Sequence, residues 1–153
     1  MRPGAAARGF TLIELLVTLA ILGIVTTLAV GGYREYLRRA NRTDATTALL
    51  RISAAQEKFY VQNGQYAGDA ELAGDPPAGL GIAGTERGYY TLAIAIDPGG
   101  PTIGYTATAT ADAAGAQGDD EGCWSFSINE RGVRSAADDG GATGAAVTER
   151  CWR

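Results

Sequence analysis

The chain has 153 residues, a formal net charge of −4 and 20% charged residues, a size that fits one compact domain plus a segment outside it. It contains no histidine, which excludes imidazole catalysis and imidazole-ligated metals. From Gly64 onward five arginines stand against thirteen acidic residues, so that part carries −8 and repels DNA and other polyanions at long range.

The first nine residues, MRPGAAARG, hold Arg2 and Arg8 and no acid. From Phe10 to Val30 the only charge is Glu14. A helix over those 21 residues spans ~31 Å, enough to cross a bilayer core. The run exceeds the ~7–15 residues of a secretory signal, and no small-x-small site closes it, so the helix is expected to be kept. An acid inside such a run is costly and by default marks function; the bland alternative is a signal anchor with a stray glutamate.

Arg8-Gly9-Phe10-Thr11-Leu12-Ile13-Glu14-Leu15 resembles the class III signal of type IV pilins and their relatives. In that family a membrane peptidase cuts after the glycine and N-methylates the new first residue. The resemblance implies cleavage between Gly9 and Phe10, N-methylation of Phe10, and Glu14 as the acid that guides assembly. One feature runs against it. Arg34, Arg38, Arg39 and Arg42 outnumber the two leader arginines, and the positive-inside rule alone flips the topology. The leader signature takes precedence, because the peptidase site faces the cytoplasm in that family. The downstream cysteines agree with it.

Gly23, Gly31 and Gly32 each lower helix propensity by ~1 kcal/mol. Many pilins carry proline where Gly31 stands. The double glycine reads equally as a softened helix or as a close helix–helix contact. From Tyr33 the pattern turns amphipathic, with Ala45, Ala48, Leu49, Ile52, Ala55, Phe59 and Tyr60 on one stripe and Arg38, Arg42, Arg51 and Glu57 largely off it. Asn63-Gly64 is a left-handed stop. One helix is therefore expected from about Phe10 to about Asn63. Its exit, from Phe59-Tyr60 through Asn63-Gly64 to Tyr66, resembles the aromatic-rich exit of pilin helices.

Residues 64–88, with seven glycines and Pro76-Pro77, read as a connecting loop with one helical turn near Asp69–Leu72. Strands are expected at Tyr90–Ile96, Ile103–Ala111 and Trp124–Ile128, with a fourth starting at Val133–Ser135. Sequential strands with short connections predict an antiparallel meander, its apolar face on the Leu49/Ile52/Phe59 stripe. Asp119, Asp120, Glu121, Asp138 and Asp139 form no calcium-loop spacing and read as solvated turn acids, so no metal and no cofactor is expected. Cys123 and Cys151, an even pair beyond a membrane segment, predict one disulfide formed in an oxidising compartment.

The expected fold is α+β: a long N-terminal helix, half transmembrane and half amphipathic, packed on a small antiparallel sheet, the ladle fold of pilins. The expected divisions are a cleaved leader over 1–9, a filament-core helix over 10–32 and a head over 33–153. Within the head fall the amphipathic helix (33–63), the loop (64–88), the sheet (89–135) and the disulfide-bounded region (123–151). The resemblance implies a structural subunit of a type IV pilus, major or minor, serving adhesion, twitching motility or DNA uptake, and no enzyme. Its partners would be other pilin subunits, the prepilin peptidase, the assembly platform and the inner membrane, with the head periplasmic before assembly and extracellular after it. A DNA-binding minor pilin is the alternative, disfavoured by the acidic head; Arg131, Arg134, Arg150 and Arg153 would carry the contact. A type II secretion pseudopilin stands third, because such proteins often use calcium where this chain has cysteines.

Overall fold

The computed structural model describes residues 9–153, so the expected leader lies outside the described residues except for Gly9. Helix α1 runs Leu12–Asn63. Thr11 caps it: the Glu14 N–H donates to Thr11 Oγ1 at 3.3 Å and the Leu15 N–H to the Thr11 carbonyl at 3.2 Å. At the other end Gly64 takes φ +70° and donates to the Tyr60 carbonyl, the left-handed stop expected of Asn63-Gly64. The described residues divide into two compact units, with the boundary between Leu37 and Arg38.

In the first unit the apolar residues from Leu12 to Val30 are all exposed. An 18-residue window there has mean hydropathy 2.4, long and apolar enough to cross a membrane. Thr18, Thr26 and Thr27 donate their hydroxyls to carbonyls three or four residues back. That bonding hides polar atoms that lipid cannot satisfy.

In the second unit the sheet is a meander in the order β1-β2-β3-β4, all antiparallel. The strands are β1 (Tyr90–Ile96), β2 (Tyr105–Ala111), β3 (Ser125–Asn129) and β4 (Arg134–Ala137). Its inner face alternates large and small side chains across the strands, Ile94–Ala107–Ile128 in one row and Leu92–Ala109–Phe126–Ala136 in the next. Ala107 and Ala109 of β2 are fully buried, as are Leu49 and Ile52 of α1. Small residues between large ones let facing layers interdigitate. Leu72, Leu80 and Ile82 from the connecting loop close the core.

The outer face is different in kind. Its first row is Thr91, Thr110, Ser125 and Ala137. The second is Ala93, Thr108, Ser127 and Ser135, with the two serine hydroxyls 2.6 Å apart. The third is Ala95, Thr106 and Asn129.

Both sheet edges are covered. On β1 the Ile94 N–H donates to Asp69 Oδ1 at 3.0 Å and Thr85 Oγ1 donates to the Tyr90 carbonyl. On β4 the Ala136 N–H donates to Thr148 Oγ1 and the Trp152 indole N–H to the Ser135 carbonyl at 2.8 Å. Capped edges cannot template pairing with another chain. The connecting loop is fastened rather than loose: the fully buried Gln56 amide exchanges two hydrogen bonds with the Ala67 backbone (2.7 and 2.8 Å).

Three local expectations need correction. β2 starts at Tyr105 instead of Ile103, because Ile103 turns back to Gly100 and stays exposed. β3 starts at Ser125, one residue later than Trp124. The disulfide-bounded region beyond residue 135, given no element above, contains the end of β4 and a helix, α2 (Ala145–Cys151), which is too short for a periodic signal and has no capping side chain.

Candidate functional site

The residues singled out by sequence fall in two places. At the N-terminal junction, Gly9 and Phe10 precede α1 and are exposed, Phe10 at 82%. A Cβ added at Gly9 would meet nothing within 4 Å. The peptide between them is thus open to a protease. Glu14 occupies the third helical position, where the helix dipole favours negative charge. Thr11 was missed as the cap, although Thr-x-x-Glu ahead of an apolar run is a capping-box spacing.

The second place is the C-terminal region. Cys123 and Cys151 are joined, Sγ–Sγ 2.02 Å and Cα–Cα 5.6 Å, and both are buried. The bond ties the short 3-10 turn Glu121–Cys123 to the end of α2. Around it Arg150 donates to the Gly122 carbonyl at 2.7 Å. The Arg134 guanidinium lies 5.0 Å over the Trp152 ring, which packs edge-on to Phe126. Arg153 pairs with Glu149 on the exposed side of α2. Arg134, Arg150 and Arg153 therefore abut α2 or its C-terminal cap. Arg131 sits in the β3–β4 turn on Glu130, 3.1 Å away. An open groove lined by Arg134, Ser135, Thr143, Thr148 and Glu149 runs beside them.

A buried polar network supports this region and was not legible beforehand. Arg42 grips Asp120 with two bonds, Nε–Oδ2 2.7 Å and Nη2–Oδ1 2.8 Å. Arg42 was placed off the core stripe and Asp120 among the solvated acids; both are buried, and each neutralises the other. Gln117, fully buried, lies in hydrogen-bond reach of the Tyr90 hydroxyl, Asp120 and the Arg38 carbonyl. The β2–β3 loop is thereby pinned to α1. One signal existed: Arg42, Ala45, Leu49, Ile52, Gln56 and Phe59 are spaced three or four apart, so both polar residues hold stripe positions.

Burial pushes the Tyr90 hydroxyl up to about 12, with the Gln117 hydrogen bond holding it back in part. Burial also raises Tyr105. Ser53 lies near enough to temper that rise, yet no described residue makes a hydrogen bond of good geometry with the Tyr105 hydroxyl.

The family model described as type IV minor pilin ComP, DNA uptake sequence receptor, matches residues 32–127, and the prokaryotic N-terminal methylation motif matches residues 5–30. The chain belongs to the type IV pilin family, in the group that the first of these models describes. It is 32% identical to the fimbrial protein EcpC of Eikenella corrodens over 72% of this chain and 69% of that protein. It is 33% identical to the type IV major pilin PilA of Myxococcus xanthus, over 59% of this chain but only 39% of PilA. The fold is similar to that of the Neisseria meningitidis non-core minor pilin PilV, with TM-score 0.50 and 18% identity over 70% of this chain and 93% of PilV.

Proposed function

We propose that this chain is a minor pilin of a DNA-uptake pilus. A membrane peptidase cuts it between Gly9 and Phe10 and methylates Phe10. The apolar half of α1 then holds it in the inner membrane, with the second unit periplasmic, until an assembly platform draws it into an extracellular filament. Its role there is structural and recognitive rather than catalytic. The observation that carries this reading is the family match over more than half of the chain, joined to the methylation motif at its start.

The DNA-contacting residues are proposed from the chain's own geometry, since the family match ends at residue 127 and the C-terminal arginines lie beyond it. Arg134 stacked on Trp152, with Arg150 on α2 and Arg153 just past its end, offers cations for phosphates beside an aromatic face. The acidic excess elsewhere keeps the affinity low and salt-sensitive. That same excess favours a second reading, a filament subunit with no DNA role.

Titrating detergent-solubilised full-length chain against duplex DNA at rising salt separates the two. Three phosphate contacts give a slope of about −3 in log affinity against log salt, and Arg134→Ala should reduce it by ~1. Absence of binding at ~50 mM salt would leave only the structural reading.

A further inference from the structure

We propose that the residues just past the apolar run of α1, Tyr33, Arg34 and Tyr36 with Arg38 and Arg39 following, bind the phosphate headgroups of anionic phospholipids on the head side of the membrane. This rests on the reading of the apolar half of α1 as a membrane anchor.

The arginines that run against the positive-inside rule have no part in the function proposed above. Arg42 is bound to Asp120, and Arg38 donates to the Asp119 carbonyl at 3.4 Å. Among Arg34, Arg38 and Arg39 the one acid is Glu35, so residues 31–40 carry +2. From Asn41 onward eight basic residues stand against fifteen acidic ones, a net of −7. Positive charge is thus concentrated where the apolar run ends, and the acidic excess lies beyond it.

Depth decides what meets that charge. The headgroup layer adds ~5–7 Å to each side of the hydrocarbon core. Tyr33 and Arg34 lie ~4.5 and ~6 Å along the helix past Val30, and Tyr36 ~9 Å. All three are exposed. Side chains on a helix tilt toward its N-terminus, which here is toward the bilayer. A long guanidinium stem can follow that tilt and set its charge among the phosphates. Tyr33 and Tyr36, three apart, share a face, and tyrosine has an apolar ring and a polar tip that suit this layer.

The partner must therefore be negative and lie in the plane of the membrane. A lipid phosphate meets both conditions, and the guanidinium fork matches its oxygens. Nucleic acid and soluble acidic proteins stay outside that layer. Each basic residue near an anionic membrane surface is worth about five-fold in affinity, so a net +2 predicts a preference of ten-fold or more at low salt.

The test uses full-length chain solubilised in detergent with equal amounts of phosphatidylglycerol and phosphatidylcholine. Retained lipids are counted by native mass spectrometry. Expected is an about ten-fold preference for phosphatidylglycerol in wild-type chain, falling at least five-fold in Arg34→Gln with Arg39→Gln. The control, Arg51→Gln with Arg131→Gln, removes the same charge from exposed positions of the second unit and should keep the preference. The Cys123–Cys151 bond reports folding. Equal retention of both lipids by wild-type chain overturns the proposal and leaves these arginines to an acidic protein partner. A smaller drop in the first variant, or an equal drop in the control, overturns it as well, because position then does not set the preference. If the double variant fails to accumulate, Arg34→Gln alone decides, with an expected drop of about three-fold or more. Wild-type chain that alkaline carbonate washes off cell membranes would instead refute the membrane-anchor reading itself.

Discussion

Glu14 is the one charge in an otherwise apolar stretch, and its energetics do not close within a single subunit. The helix dipole returns ~0.3–1 kcal/mol, against ~3 kcal/mol for an acid deep in lipid. Cleavage after Gly9 would leave a positive amine on Phe10, and in a bundle of such helices the amine of one subunit would reach Glu14 of the next. Charge pairing of that kind would supply the difference and set the axial register that apolar packing leaves loose. Glu14→Ala should therefore be inserted and cut normally, yet give few filaments. Precursor size and sheared-filament yield, measured together, check this; a normal yield would sink the pairing. Tyr90 is the other residue with a clear signature. Its hydroxyl titrates near 10 in the unfolded chain and at about 12 in the folded one. Below pH 10 both states keep the proton and stability is undiminished. Between 10 and 12 only the unfolded chain releases it, so stability falls by ~1.4 kcal/mol per pH unit, ~2.7 kcal/mol in all. Tyr90→Phe should flatten that decline, leaving the contribution of Tyr105, in denaturant unfolding of solubilised chain followed by tryptophan fluorescence across pH 9–12.

At the scale of elements, what sequence could show followed from how local each signal is. The span of α1 was legible because 52 residues average out any single misleading position, and Gly64 marks its end chemically. The meander was legible from the alternation of Tyr90, Leu92, Ile94 and of Tyr105, Ala107, Ala109. Helix α2 was not, since seven residues contain only two turns and no side chain caps them. The Arg42–Asp120 pair was hidden for another reason. Its partners are 78 residues apart, and each alone has the look of a solvent-facing charge. That pair fastens the β2–β3 loop to α1, so its loss should be felt as stability. Arg42→Ala leaves Asp120 buried without its counter-charge and should cost ~3–5 kcal/mol in thermal or denaturant unfolding. Replacing both by apolar residues, Arg42→Met with Asp120→Leu, should restore part of that, and the double-mutant cycle measures the coupling.

For the molecule as a whole, the C-terminal closure carries a consequence about timing. Helix α2 lies far below the ~12–15 residues at which an isolated helix persists in water, so it stays in place through Cys151 and the contacts of Thr148 and Trp152 with β4. A chain with free thiols loses ~3–4 kcal/mol by the loop-entropy estimate. It also uncovers the Ala136 N–H and the Ser135 carbonyl, an open strand edge on a protein whose purpose is to meet copies and cousins of itself at high density. Two modes of self-association then compete in the same membrane: ordered growth through helices and indiscriminate growth through strands. Thiol oxidation ahead of polymerisation would remove that competition. Cys151→Ser should accordingly give solubilised chain that forms polydisperse oligomers by light scattering, and wild-type chain should do the same only when kept under reductant.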